Sequence, residues 1–344
     1  MAFQKAVVTV APHRAKLTTD RLIPKLRDDY LLVRTVSIAL NPTDWKHILR
    51  LSPPDCLIGC DYAGIVEKVG KDVGKPFKKG DRVCGFAHGG NAVCSADGTF
   101  AEVITVKGDI QAWIPENLSF QEAATLGVGI TTVGQGLYQS LKLSWPTAPI
   151  EHAVPILIYG GSTATGTLAV QLAKLSGYHV VTTCSPHNFE LMKSLGADQV
   201  FDYRETTSAD CIRQCTQNKL KLVFDTISLE TSARFCDRAM STEGGEYSAL
   251  LNVSIERTNV SSRWTLAYTV FGESFTLGED HFAAIPEDYA FGKEFWDVAM
   301  KFVTNGSIKV HPPKVMPGGL AQILDGLELL QNGLVSGEKL VYNV

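Results

Sequence analysis

Apolar positions in roughly the first 120 residues come in short runs cut by Gly, Pro and Asp, and none holds a 3.6-residue period for long. That pattern predicts a β-rich unit. Within it, Leu31 to Leu40 reads as a strand stopped by Asn41-Pro42, Gly64 to Gly70 alternates between two glycines, and Asp81 to Phe86 follows a Lys-Lys-Gly turn. From Ile156 onward the pattern changes to apolar strands alternating with amphipathic helices, the sequence form of a parallel sheet made of βαβ units. Ile156 to Tyr159 is the first strand. Ala164, Leu168, Leu172 and Leu175 then share one helical face, and Val180-Val181 opens the next strand. Further strands are expected at Gln199 to Phe201, Leu222 to Phe224 and Tyr247 to Leu251, with helices at Phe189 to Leu195 and Thr231 to Met240. The sheet is therefore at least five strands wide. Leu320 to Leu330 reads as an amphipathic helix between Gly318-Gly319 and Asn332-Gly333.

Composition narrows what such a chain does. Its 344 residues suit two domains, and 45% hydrophobic against 20% charged residues excludes a disordered chain. With 32 Lys+Arg and 36 Asp+Glu, the formal charge of −4 argues against a nucleic-acid partner, which needs an excess of cations. No apolar run reaches the roughly 18 residues of a membrane helix. The start has no readable secretion signal, so a cytoplasmic location is expected and the glycosylation matches at Asn117, Asn252, Asn259 and Asn305 are accidental. Eight scattered cysteines imply free thiols. The closest pairs, Cys56/Cys60 and Cys211/Cys215, have Cys-x3-Cys spacing and lack the paired Cys-x2-Cys pattern of structural zinc.

The informative stretch is Gly160-Gly-Ser-Thr-Ala-Thr-Gly166, set between a strand and a helix. Glycines let the backbone turn tightly against a pyrophosphate, and the free amides and positive end of the helix attract its charge. Dinucleotide sites that take NAD place an acid about 20 residues further on to bind the ribose 2′-hydroxyl. Here no acidic residue lies between Gly166 and Glu190; the second strand ends in Thr-Cys-Ser185-Pro186-His187-Asn188. Donors in place of a carboxylate favour a 2′-phosphate, hence NADPH over NADH. Tyr203, at the end of the third strand, flanks the adenosine or simply packs.

Asn41-Pro-Thr-Asp44, Gly59-Cys-Asp-Tyr-Ala-Gly64, Gly80-Asp-Arg-Val-Cys-Gly85, Ile114-Pro-Glu-Asn-Leu-Ser-Phe120 and Leu195-Gly-Ala-Asp198 together resemble the medium-chain dehydrogenase/reductase superfamily over essentially the whole chain. Tyr159 to Thr165, Thr183 to Phe189 and Ser336-Gly-Glu-Lys-Leu-Val341 look like the trans-acting enoyl reductases of fungal highly reducing polyketide synthases, the lovastatin type. The resemblance implies an α/β fold: a GroES-like domain over residues 1–125, completed by 290–344, and a Rossmann doubly wound parallel sheet over 126–289. Zinc-dependent relatives use a Cys and the His of a Gly-His-Glu motif as ligands. Thr43 and Cys60 stand at those places here, with Asp61 for the Glu, so no metal is expected.

By the same resemblance, Thr43, Asp44, Trp45 and Lys46 lie beside the nicotinamide, and Ser162, Thr163, Ala164 and Thr165 meet the pyrophosphate. Ser185, Pro186, His187, Asn188 and Tyr203 surround the 2′-phosphate, while Leu250, Leu251, Gly337 and Glu338 close over the cofactor. Thr132, Val133, Gly134, Gln135, Gly136, Leu137, Tyr138 and Gln139 match a substrate-lining segment, as do Ala267, Tyr268, Thr269, Val270 and Phe271. Reduction of an α,β-unsaturated thioester needs a donor for the charge that develops on oxygen, and Lys46 and Thr132 are the candidates; Lys46 reads equally well as a solvated loop lysine. No residue stands out as proton donor beyond water or Tyr62.

Three activities fit these residues. One is an enoyl reductase acting in trans on a substrate carried by a polyketide synthase or a synthase–peptide synthetase hybrid, the reductase itself being a monomer. The others are a free-standing NADPH-dependent quinone or alkenal reductase, and a non-catalytic NADPH-binding protein.

Overall fold

The computed structural model describes residues 2–344. The described residues form two units: 2–131, 268–305 and 310–344 in one, and 132–267 with 306–309 in the other. The passage from the first to the second falls inside the helix Gly127–Val133, and residues 268–289, which the sequence reading gives to the nucleotide unit, pack in the first. The physical reason is the aromatic run Tyr268 to Phe275: Phe86 and His88 stack against Tyr268 and Phe271, and Phe275 meets the Tyr268 ring edge-on.

The first unit is built on a seven-stranded sheet. Its path runs Pro313–Met316, Lys339–Asn343, Tyr30–Ala39, Asp61–Val69, Arg82–Phe86, Ala112–Trp113, with Val103–Lys107 also paired to Tyr30–Ala39. All pairings are antiparallel except the first. The near-C-terminal strand thus lies inside the sheet, with Val341 opposite Ala39. A hairpin, Phe3–Ala11 with Arg14–Leu22, packs Ala6, Val7 and Val8 into the same core as Leu31, Ile38, Tyr62, Phe100 and Tyr342. Leu320–Leu330 is helical as expected, but only from Ile323: the two glycines at 318 and 319 both take positive φ, and the first turn, Gly319–Gln322, is a tighter 3-10 turn.

The second unit is a six-stranded, wholly parallel sheet in the order Gln199–Asp202, His179–Cys184, Pro155–Tyr159, Leu222–Asp225, Gly245–Ala249, Val260–Trp264. Numbered along the chain this is 3-2-1-4-5-6, the Rossmann order, whose ligand crevice opens at the C-terminal ends of strands 1 and 4. The helix Ala164–Leu175 buries Leu168 and Leu172 of the predicted face together with Ala169 and Ala173, while Ala164 and Leu175 at its ends are half-buried. The sixth strand, Val-Ser-Ser-Arg-Trp, has no signal in the hydrophobic pattern because it is an edge strand with polar residues on both faces. Trp264 ends it and is 39% exposed. Gly134–Ser140 and His47–Leu51 are π-helical turns, a wide winding that recurs at functional sites.

Candidate active site

The glycine loop has the geometry a phosphate group requires. Gly160 sits at φ +81°, and a Cβ there would lie 2.6 Å from the Thr226 hydroxyl. Gly166 lets the helix approach the strand so closely that any Cβ would meet the Gly160 carbonyl. Thr163 caps the helix, its hydroxyl accepting the Gly166 amide at 2.9 Å and meeting the Thr226 hydroxyl at 3.0 Å. The amides of Ala164 and Thr165 lie in the first turn, where no intrahelical acceptor exists, so they are available to a dinucleotide pyrophosphate. These residues fit the cofactor that the loop implies.

At the end of the second strand, Ser185 starts a 3-10 turn, Pro186–Asn188, that leads into the helix Phe189–Ser194. Cys184 stands in register with Asp202 on the third strand. That carboxylate is held by Arg204, whose Nε and Nη2 donate to its two oxygens at 3.0 and 2.8 Å. The guanidinium holds Asp202 below the usual carboxylate range. Arg204 is a cation the sequence reading did not single out, because only the strand register brings its partner Asp202 opposite Cys184. Tyr203 is 42% exposed, with its ring 6.3 Å from that of Tyr159. Leu250 and Leu251 follow the fifth strand; the Leu250 amide donates to Ser228 Oγ at 2.7 Å.

The segment after Thr132 is a buried one. Thr132 is 7% exposed, and Val133 and Leu137 are fully enclosed. Gly136 faces the Phe224 ring so closely that it has no room for a side chain. The Tyr138 hydroxyl contacts the Leu172 carbonyl and the Ser176 hydroxyl, which places this side chain in packing rather than on a free surface. Gly134, Gln135 and Gln139 belong to the same π-helical turn, Gly134 and Gln135 buried and Gln139 half-buried.

In the first unit, the Asn41-Pro42 turn opens the short helix Pro42–Lys46, closed by a capping box in which Asp44 Oδ2 accepts the Asn41 amide at 2.7 Å. Asp44 is therefore a buried structural acid, and burial pushes its carboxyl up to about 8. Lys46 is half-buried, desolvation lowers its ammonium, and its Nζ lies 5.6 Å from the Trp45 ring. Gly337 takes φ +70° ahead of the final strand, and Glu338 is ion-paired with Lys314 at 2.7 Å. Tyr62 is fully buried and donates its hydroxyl proton to Gln111 Oε1 at 2.9 Å, which removes it as a proton donor.

Tyr268 lies in the 3-10 turn Ala267–Phe271, with Thr269, Val270 and Phe271 buried beside it. Its hydroxyl lies 2.7 Å from Thr43 Oγ1, 3.0 Å from His47 Nε2 and 3.7 Å from Cys60 Sγ. The His88 ring stacks on it at 3.9 Å, and burial, then the neighbouring His47, pushes the His88 imidazole well below its ordinary value. His47, Ser52 and His88 carry no motif that a sequence reading detects. Behind this group lies a buried ion pair: Lys339 donates to Asp61 Oδ2 at 2.5 Å and to Asn41 Oδ1 at 2.8 Å, and the Val128 amide donates to Asp61 Oδ1 at 2.6 Å.

Among the described residues, no group of three or more His, Cys, Asp or Glu side chains converges as a metal ion requires. Zinc does not fit the residues present. All eight cysteines are free thiols; Cys211 and Cys215, one turn apart on the helix Ser208–Cys215, are exposed rather than buried.

Residues 27–116 match the alcohol dehydrogenase GroES-like domain, and residues 164–247 match the family described as zinc-binding dehydrogenase. The chain is 83% identical over 295 residues to the trans-enoyl reductase TOXD of Cochliobolus carbonum, covering 86% of this chain and 99% of that protein. It is 47% identical to the trans-enoyl reductase resD of Aspergillus sclerotiorum, covering 99% and 100% of the two chains. In fold it is similar to the CurK enoyl reductase crystal structure, with a TM-score of 0.79 at 18% identity over 99% of each chain. With a GroES-like unit, a Rossmann unit whose glycine loop suits a nicotinamide dinucleotide, and identity at this level, the chain is an oxidoreductase that belongs to the trans-enoyl reductases of the medium-chain dehydrogenase/reductase superfamily.

Proposed function

We propose that this protein uses NADPH to reduce the carbon–carbon double bond of an α,β-unsaturated thioester carried on a separate polyketide synthase or synthase–peptide synthetase hybrid. Its identity to trans-enoyl reductases supports the reaction and the external carrier. The preference for NADPH rests on one structural observation. The end of the second Rossmann strand carries Ser185, His187 and Asn188 and no carboxylate, and the only acid in register there, Asp202, is neutralised by Arg204. A doubly charged 2′-phosphate meets donors and a guanidinium at that place.

When bound, the cofactor supplies a hydride to the substrate's β-carbon. The chain's own contribution is to bind and orient. Ser162 and Thr165 present hydroxyls and Ala164 and Thr165 first-turn amides to the pyrophosphate, Thr163 holds the helix start by its cap, and the Gly160 backbone gives that group a close approach. Lys46 offers a partly desolvated ammonium, whose interaction with charge developing on the thioester oxygen is stronger than in water. Thr132, the other candidate named from the sequence, carries a buried hydroxyl. Thr43, Trp45, Leu250, Leu251 and Gly337 form the proposed cofactor surround, and Ala267 to Phe271 the acyl-binding surface.

The test is NADPH oxidation by the purified protein with an enoyl pantetheine thioester against a set of quinones. Turnover of the thioester at least tenfold faster supports the proposal; preferential quinone turnover replaces it with a free-standing quinone reductase. Co-expression with a candidate synthase tests the trans action. An identical product with and without this protein removes that part of the proposal.

A further inference from the structure

The hydrogen bonds around Tyr268 have a direction, and it can be worked out from one carbonyl. Ser52 Oγ lies 2.7 Å from the Gly90 carbonyl oxygen, which has no proton, so the serine hydroxyl donates there. The same Ser52 Oγ lies 2.9 Å from His47 Nδ1, and with its proton spent it accepts, so Nδ1 carries the imidazole proton. His47 is enclosed and burial pushes it down to about 4, so it is neutral and its Nε2 is bare. The contact between Nε2 and Tyr268 Oη at 3.0 Å is then donated by the phenol. The contact of Tyr268 Oη with Thr43 Oγ1 at 2.7 Å must be donated by the threonine. Gly90 is built for this arrangement: it sits at φ +73°, and a Cβ there would lie 2.6 Å from His47 Nδ1 and closer still to Ser52 Oγ. Every proton in the series Thr43, Tyr268, His47, Ser52 points inward, toward Gly90.

We infer that Thr43, the half-buried outer end of this series, acts on its ligand only as a hydrogen-bond acceptor, and that Tyr268 is the positioning residue that fixes this polarity. The inference rests on the proposed function for the identity of the ligand. With its own proton committed to Tyr268, the Thr43 oxygen is open to an N–H donor and repels a carbonyl or a developing oxyanion. It is thereby excluded as a stabiliser of the thioester oxygen, which leaves that role to Lys46 and Thr132. The matching group is a primary or secondary amide N–H, which the dinucleotide offers in its carboxamide and the thioester in its pantetheine arm.

Binding titrations on the purified full chain separate the sources. One arm compares NADPH with its 3-acetylpyridine analogue, in which a methyl replaces the amide nitrogen. The other compares, in the presence of NADP+, an enoyl pantetheine thioester with an enoyl alkyl thioester lacking amides. One neutral hydrogen bond corresponds to about fivefold to tenfold in Kd. The wild type is expected to show that penalty in one arm, which names the source. T43V should bind both members of that pair alike, while T43S keeps the penalty. Y268F frees the Thr43 proton to turn outward toward the acetyl or ester oxygen, so its penalty should fall below about threefold, with thermal melting confirming that it is folded. An equal penalty in wild type and T43V in both arms, or a full penalty in Y268F, overturns the inference while the proposed function stands. Absence of NADPH binding by the wild type overturns both.

Discussion

Replacing Lys339 with methionine should unfold the first unit far more easily than its position near the end of the chain suggests. Lys339 is 4% exposed and Asp61 is fully buried. At their 2.5 Å separation, and with an effective dielectric of about 20, the attraction is roughly 7 kcal/mol. Removing two ions from water costs several kcal/mol each, so the intact pair contributes little net stability. The K339M variant loses the attraction and the bond to Asn41 Oδ1 but leaves the Asp61 carboxylate enclosed with only the Val128 amide. The expected loss is about 3–5 kcal/mol, seen as a lower denaturant midpoint. At roughly 2–4 °C per kcal/mol for a unit of this size, the drop in Tm is about 6–20 °C. The decisive comparison is D61N/K339M, which removes both charges and should recover more than half of the loss. A single variant costing under about 1 kcal/mol, or a double variant no better than the single, refutes the reasoning.

Four further outcomes follow from the site. His187→Asp should weaken NADPH binding far more than NADH binding by calorimetry; equal losses would remove the 2′-phosphate contact. Arg204→Ala should raise the NADPH Kd about tenfold or more, in line with one charge-assisted hydrogen bond, and leave NADH within about twofold. Thr163→Ala should cost about 0.5–2 kcal/mol of stability by removing the cap on the Gly166 amide. His47 is held neutral in the folded chain at about 4 against 6.5 unfolded, so its share of stability is complete above pH 6.5 and is lost as pH falls toward 4. The raised Asp44 acts in the opposite sense, so the informative measurement is the difference between wild type and His47→Gln. The unfolding free energy of His47→Gln should fall less between pH 7 and 4.5, and a parallel pair of curves would argue against a buried neutral imidazole.

The Rossmann unit was readable because each of its features is local. Apolar strands, the helix face at Ala164, Leu168, Leu172 and Leu175, and the glycine loop are each written in a short stretch of consecutive residues. Its sixth strand escaped because an edge strand has no obligatory apolar face. The first unit was legible as β-rich but not in its pairing. What joins Val341 to Ala39, or Lys339 to Asp61, is a contact across about 300 and 278 residues respectively that no periodicity records. The same holds for the Tyr268 group. Thr43 and Tyr268 were each placed in the site by resemblance, yet their contact, and the intervening His47 and Ser52, follow only from where the aromatic run after residue 267 packs. Residue 268 was assigned to the other unit by the bounds that the resemblance implied, and its apolar surroundings in the sequence do not say which core it joins.

The interior place of the Lys339–Asn343 strand sets an order of assembly. All six strands of the Rossmann sheet lie between residues 155 and 264, so that layer has its full complement once residue 264 has left the ribosome. The other sheet needs residue 343 as well, because Ser37, Ile38 and Ala39 of the strand Tyr30–Ala39 pair with Asn343, Tyr342 and Val341. Domains usually fold from the N-terminus onward during synthesis, whereas here every strand of the Rossmann sheet has emerged before the last strand of the sheet that the N-terminal residues begin.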